Sequence, residues 1–269
     1  MTTDSTKKIT GWADVRDASA NFQLAALLGW QDVAQRYRRS SLGAFWLTIN
    51  MSVLIAALGL VFGTIFKTPM SEFLPFICVG LIVWTYYSSV INEGCTTFVS
   101  SSDTMLQLPI PFFTYILRTW WRNTVISAHN IIILPVVLLI FGKFFSVSAL
   151  LAIPGFMLTS INLLWMMVIL AVLCTRYRDL TQIVQNIMQV GMYVTPIMWQ
   201  PSQMQGQGNA SLMLDLNPFY HLVSIIREPL LGGTGSMLNW GAAAGMAIIG
   251  WILALLLLNK YRSRVTYWL

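Results

Sequence analysis

Long apolar runs alternate with short polar breaks along most of this 269-residue chain. After the basic cluster Arg36, Arg38 and Arg39, no Lys, Arg, Asp or Glu appears until Lys67. A helix needs about 20 consecutive apolar residues to cross a bilayer core. Six runs meet or approach that length: residues 43–66, 74–98, 124–141, 147–174, 183–199 and 241–258. Ahead of the first run, Phe22, Ala26, Trp30, Val33 and Tyr37 recur at helical spacing and predict an amphipathic interface helix. Between the last two runs, residues 200–240 are too long for a simple hairpin. They begin with a turn-forming polar run at 203–209. The pieces 210–216 and 219–231 are apolar but too short to cross, and Asn217-Pro218 separates them. Phe219, Leu222, Val223, Ile226 and Leu230 share one helical face, and Gly232-Gly233 ends the second piece. The pattern predicts a pair of short re-entrant helices. Irregular backbone at that depth is tolerated only against protein or a water-filled path, so a pore is implied. The fold class is therefore an all-α polytopic membrane protein of six spans. Its single transmembrane domain comprises an interface segment (1–42), a membrane region (43–258) and a tail (259–269).

Composition agrees: 56% of residues are hydrophobic and 10% charged, against about 25% charged in an ordinary soluble domain. The net charge of +6 would fit nucleic acid if it formed one patch, but it is spread over the membrane junctions. Of 16 basic residues, only Lys67, Lys143 and Arg227 fall on one side of the six-span topology. Positive residues are retained on the cytoplasmic side, so both termini are expected there. Residues 1–21 lack the apolar core of a signal peptide, which makes the first span an uncleaved anchor. Cys78, Cys95 and Cys174 lie in or beside apolar runs without metal-ligand spacing, so neither a disulfide framework nor a metal site is expected. There is no Gly-x-x-x-x-Gly-Lys-Ser/Thr phosphate loop, no Gly-x-Ser-x-Gly elbow and no paired-His motif; His129 and His221 lie far apart. The chain is not expected to be an enzyme or to carry a cofactor.

Several landmarks then occur in order. An acid, Asp32, precedes Arg36-Tyr37-Arg38 and Ser41-Leu42-Gly43, with Trp46 opening the first run. Arg178-Asp179-Leu180 precedes the fifth run, which ends in Thr195-Pro196-Ile197-Met198-Trp199. Asn217-Pro218 follows, then Arg227 before Gly232-Gly233. This series, over about residues 30–265, resembles the ABC-type-2 permeases that export bacterial polysaccharides: O-antigen foremost, with teichoic acid and capsule as relatives. Members often carry Arg where this chain has Gln31 and Pro where it has Asn50. The resemblance implies the membrane half of an ABC exporter in the bacterial inner (cytoplasmic) membrane. Two copies of the chain would form the path, and two copies of a separate ATPase subunit, carrying ATP and Mg, would drive it. The cargo would be a polyprenyl-diphosphate-linked polysaccharide. A drug or lipid exporter of the same fold is the nearest alternative. An ion-coupled secondary transporter would show internal repeats and more embedded charge, and a membrane glycosyl-lipid enzyme would need converging carboxylates.

Candidate residues follow. Trp84, Tyr87 and Ser88 share a face of the second span, and with Glu93, Trp165 and Tyr193 they are candidates for an aromatic translocation path; ordinary packing is the alternative for each ring. Glu93 is an ionisable residue at membrane depth, which a pair with Arg118 or Arg122 would also explain. A basic, aromatic helix is expected over 111–122, beginning after Pro111. With the entry segment it suggests an ATPase-docking surface at Gln35, Arg36, Arg38, Thr114, Arg118 and Arg122, or else a helix resting on membrane lipid. Arg176 and Arg178 are topology charges and Asp179 a helix N-cap; the resemblance adds a contact with the lipid diphosphate. Asn217, Pro218 and Arg227 are assigned to an external gate. Gly59-x-x-x-Gly63 and Gly241-x-x-x-Gly245 permit close helix approach within or between chains.

Overall fold

The computed structural model describes residues 10–38, 43, 45–108, 110–201 and 210–269. The expectations for Arg39, the Ser41-Leu42 pair and the polar run 203–209 lie outside the described residues. Twelve α-helices follow one another, with no strand among the described residues: α1 Gly11–Ala20, α2 Phe22–Tyr37, α3 Phe45–Phe66, α4 Met70–Ser100, α5 Ser102–Gln107, α6 Phe112–Asn130, α7 Ile133–Ile140, α8 Ala152–Arg176, α9 Leu180–Val194, α10 Ala210–Asp215, α11 Pro218–Leu230 and α12 Met237–Trp268. A 3-10 turn, Val147–Leu151, leads into α8.

Five helical stretches are long and apolar enough to cross a membrane: Phe45–Phe66, Met70–Ser100, Phe112–Ile140, Val147–Arg176 and Met237–Trp268. The fifth expected span differs. Helix α9 has 15 residues, about 22 Å at 1.5 Å per residue, short of a bilayer core of about 30 Å. It stops because Pro196 disfavours helical backbone in the residue before it, and Thr195 is extended (φ −81°, ψ 136°). The helix expected over 111–122 is not a separate interfacial element either. It starts after Pro111 as predicted but continues unbroken to Asn130, because nothing between Arg122 and Thr124 interrupts it. Likewise α12 carries on through the polar tail to Trp268.

Helix α4 is the hub. Of its apolar stretch, 78% is buried inside the chain, against 22% for α3, and it touches α3, α6, α7, α8, α9 and α11. Helix α12 packs on α8, α11 and α1, and α2 lies along α6. Gly59 and Gly63 seat α3 against Leu74, Met70 and Phe73 of α4, so this small-residue pair is used within the chain, whereas Gly241 and Gly245 face open space. The buried stripe of α2 is Phe22, Ala25, Gly29 and Val33. It is rotated from the expected one, because Gly29 must face α6: a Cβ there would meet the Arg118 carbonyl oxygen at 2.8 Å. Trp30 therefore turns outward with Leu24 and Leu27.

Candidate functional site

At one end of the bundle, α2, α4 and α6 meet through charge. Arg118 and Arg122 are one turn apart on α6 and so point the same way. Arg118 donates from Nε (2.8 Å) and Nη2 (2.6 Å) to the Asp32 carboxylate. Arg122 donates from Nη1 to Asp32 (3.0 Å) and from Nη2 to Glu93 (2.7 Å). Asn123 also donates to Glu93, and the exposed Arg36 guanidinium stands 4.0 Å away. Burial pushes the Asp32 carboxyl up, but Arg118 and Arg122 together outweigh it and hold the group below the ordinary carboxylate range. Glu93 thus has the partner that its depth demands, and the pair with Arg122 is made.

Beside this cluster sits an arrangement that no local pattern signals. Asp14 of α1 is buried, and its carboxylate accepts from the backbone N–H of Phe112 (3.2 Å) and Phe113 (2.9 Å). It also accepts from Arg262 of α12, through Nε (3.1 Å) and Nη2 (2.8 Å). Pro111 stands at the N-cap of α6 without a side-chain hydrogen bond, so Asp14 caps α6 from another helix. Asn259 accepts from Gly11 N–H nearby, and Arg262 lies over the Phe112 ring. The two ends of the chain are thereby fastened to the start of α6.

This geometry corrects the docking set. Thr114 is 1% exposed and presents no surface, and Arg118 and Arg122 are spent inside the ion cluster. Gln35, Arg36 and Arg38 remain exposed. The outward surface at this end includes α5 and its exit: Asp103, Leu106 (64% exposed), Gln107 and Leu108. Arg176, Arg178 and Asp179 are exposed; the Arg176 guanidinium lies over the rings of Tyr177 and Trp268. Asp179 occupies the N-cap position of α9 with helical backbone and no capping hydrogen bond, so the expected cap is not made.

The six path candidates do not converge. Trp84 and Tyr87 are buried in the chain's own core: Tyr87 donates its hydroxyl hydrogen to the Leu222 carbonyl (2.8 Å), and Trp84 meets Phe219 edge-on and covers Gly191. Both rings do packing work, the alternative open for them from sequence, because they lie on the covered faces of α4. Ser88 accepts from Asn92. Trp165 lies apart in the α8–α12 seam, where Gly250 makes room for its ring, and donates to Asn162. Tyr193 alone is well exposed, at 63%.

At the opposite end, three separated motifs come together. Asn217 caps α11 by accepting from Phe219 and Tyr220 N–H (3.0 and 3.3 Å), and its amide donates to Thr195 Oγ1 (3.0 Å). Pro218 opens α11. Arg227, 3% exposed, donates from Nη1 to the Pro196 carbonyl (2.6 Å) and lies 4.1 Å over the Phe76 ring. Ile197 is buried against Gly80. Asn217 and Arg227 thus clasp the non-helical turn after α9 from both sides.

Residues 23–231 match the ABC-2 type transporter family. The chain belongs to that family. It is 26% identical over 231 residues to the O-antigen export system permease protein RfbA of Myxococcus xanthus, covering 80% of this chain and 87% of the relative. An ABC-2 membrane subunit works with an ATPase on another chain.

Helix α9 completes the picture of this permease. It buries only Met188 and exposes Gln182, Gln185, Asn186 and Gln189 beside Ile183, Ile187, Val190 and Tyr193. Together with Met213, Leu216 and Phe219, part of that face bounds a groove of about 670 Å³. Sequence reasoning missed α5, too short for any period to show, and His221, whose ring nitrogens meet Asn239 Oδ1 (2.8 Å) and the Asp215 carbonyl (2.9 Å).

Proposed function

We propose that this chain is the transmembrane permease subunit of an ABC exporter for a polyprenyl-diphosphate-linked polysaccharide, O-antigen foremost, in the bacterial inner membrane. The observation that carries the reading is the likeness over four-fifths of the chain to a permease named for O-antigen export, within a family match spanning residues 23–231. Six crossings and two cytoplasmic termini follow if α9 and the turn after it serve as the fifth crossing, with α10 and α11 as short re-entrant pieces on the outer side. The basic bias of the junctions supports that orientation. The ATPase, which binds ATP and Mg, docks on Asp103, Leu106 and Leu108 with help from Gln35, Arg36 and Arg38. Two copies of each chain make the transporter. The thinly packed faces of α3 and α9 favour a second copy opposite them, with the uncharged amides of α9 along the glycan path. Arg176 and Arg178 are exposed, and on the cytoplasmic side their guanidinium groups would attract the lipid diphosphate.

The test is genetic and biochemical together. Deleting the gene is expected to abolish surface polymer while lipid-linked polymer accumulates inside, and purified complex is expected to contain an ATPase chain. Unchanged surface polymer in the deletion strain would refute the cargo assignment, and absence of any co-purifying ATPase would refute the transporter assignment.

A further inference from the structure

At the outer end, the described residues satisfy the Arg227 guanidinium only in part. Its Nη1 donates to Pro196, yet Nε and Nη2 donate no hydrogen bond, and no ion pair forms, among the described residues. A buried cation is costly unless its donors are met. The guanidinium instead borders a cavity of about 290 Å³, together with Glu228, Tyr220, Phe76 and Leu231. A second cavity of about 320 Å³ shares Phe76 and Leu231 and adds Glu72, Lys143 and Gln200.

Each cavity therefore holds one cation, one carboxylate and an apolar wall. An anion placed there would face an acid, and a cation would face a base. A neutral polyol suits both groups: its oxygens accept from the guanidinium, its hydroxyls donate to the carboxylate, and its C–H face rests on apolar wall. Each volume lies near the lower edge of small-molecule sites, about 300–1,000 Å³, which fits one sugar unit rather than a long segment. We propose that the cavity beside Arg227 binds one sugar residue of the glycan on the outer side, and that the adjoining cavity accepts the next. Arg227 and Glu228 are the hydrogen-bonding pair, and Leu231 marks the boundary between units. The proposal rests on the polysaccharide-export reading above.

The test places the photo-crosslinking amino acid p-benzoylphenylalanine at Leu231 of the full transporter, in cells whose polymer carries tritiated sugar. Light is expected to produce a radioactive adduct on this chain that disappears when polymer synthesis is blocked. Glu228→Gln, which loses the charged acceptor, and, separately, Tyr220→Phe, which removes a lining hydroxyl that can also bond the sugar, are expected to weaken the adduct about fivefold each at equal yield of complex, as for loss of one hydrogen bond. Light that yields no sugar adduct, or only a lipid adduct, while polymer still reaches the surface overturns the site and leaves the export reading standing. A full adduct in both variants also overturns the assignment of these groups. Surface polymer that persists after deletion of the gene overturns the export reading itself.

Discussion

Replacing Asp14 by Ala is expected to loosen the junction of the chain's two ends with α6. The carboxylate performs two tasks. It caps two N–H groups of α6, at 3.2 and 2.9 Å, and such caps contribute about 0.5–2 kcal/mol. It also neutralises Arg262, and removing one partner of a buried pair costs about 3–5 kcal/mol. The Arg262 side chain keeps 23% of its exposure, so water recovers part of that cost and the lower end applies. The combined loss is then about 3.5–5 kcal/mol. Asp14→Asn keeps an acceptor oxygen for the cap and loses only the charge, so it is expected to fall between wild type and Ala. The assay is thermal unfolding of the assembled transporter in lipid discs, followed by tryptophan emission, for Asp14→Ala, Arg262→Ala and the double variant. The double variant is expected to be less destabilised than the sum of the singles by at least about 1 kcal/mol. Strict additivity, or an Asp14→Ala protein as stable as wild type, would show that the clamp carries no energy.

The remaining predictions concern single positions. A cysteine at Leu106 is expected to react with maleimide and to crosslink to the ATPase, whereas one at Thr114 does neither; capture from Thr114 would contradict its burial. Asp32→Asn is expected to detach α2 from α6, read as new protease cleavage within residues 22–37. Because the Asp32 carboxyl titrates below its ordinary value, its stabilisation is present at neutral pH and lost only as pH falls through that lowered value. Mild acid is therefore expected to leave α2 docked in the wild type, and release at mildly acidic pH would refute the assignment to Asp32. Trp84→Ala is expected to lower the yield of assembled complex in step with export, through a cavity costing about 3–5 kcal/mol, while Trp84→Phe restores most of both. Export lost at full yield of complex would return Trp84 to the path.

Much of the architecture was legible because lipid imposes a crude rule on length and charge. The runs behind α3, α4 and α8 could be read within about five residues, whereas α12 continues ten residues past its predicted end at 258. Pro111, Asn217-Pro218 and Gly232 marked real boundaries, since the backbone limits of Pro and Gly act locally. The α9 ending was missed because a run of apolar residues through Thr195-Pro196 looks continuous by hydropathy, while Pro196 stops the helix sterically. Side-chain partners were less legible. For Glu93 the sequence left a pair with Arg118 or Arg122 open beside a path role, and it is Arg122 that makes the pair. Asp14 and Arg262 stand 248 positions apart, and neither has an unusual neighbourhood, so nothing in the sequence could join them. For Trp84 and Tyr87 the sequence left a path face and ordinary packing both open, and both rings are buried. Periodicity tells which residues point together; it does not tell what they point at when most of a helix is covered.

That distinction bears on where a glycan would run. An ionisable residue at membrane depth draws attention as a path residue, yet Glu93 is held by Arg122 and Asn123, and Asp32 by two arginines. Charges that bind one another this tightly are poor partners for a sliding neutral polymer, since each sugar would have to compete with an ion pair. A polymer that must move needs hydrogen bonds that form and break at similar cost, which uncharged amides and hydroxyls supply. Helix α9 carries such groups, Gln182, Gln185, Asn186, Gln189 and Tyr193, on exposed positions. Set beside its thin burial and the open face of α3, this makes α9 an element whose chemistry suits a glycan. Amide-to-Leu changes on α9 are accordingly expected to slow export at constant complex yield, and export unchanged by Gln185→Leu with Gln189→Leu would remove the argument for this face.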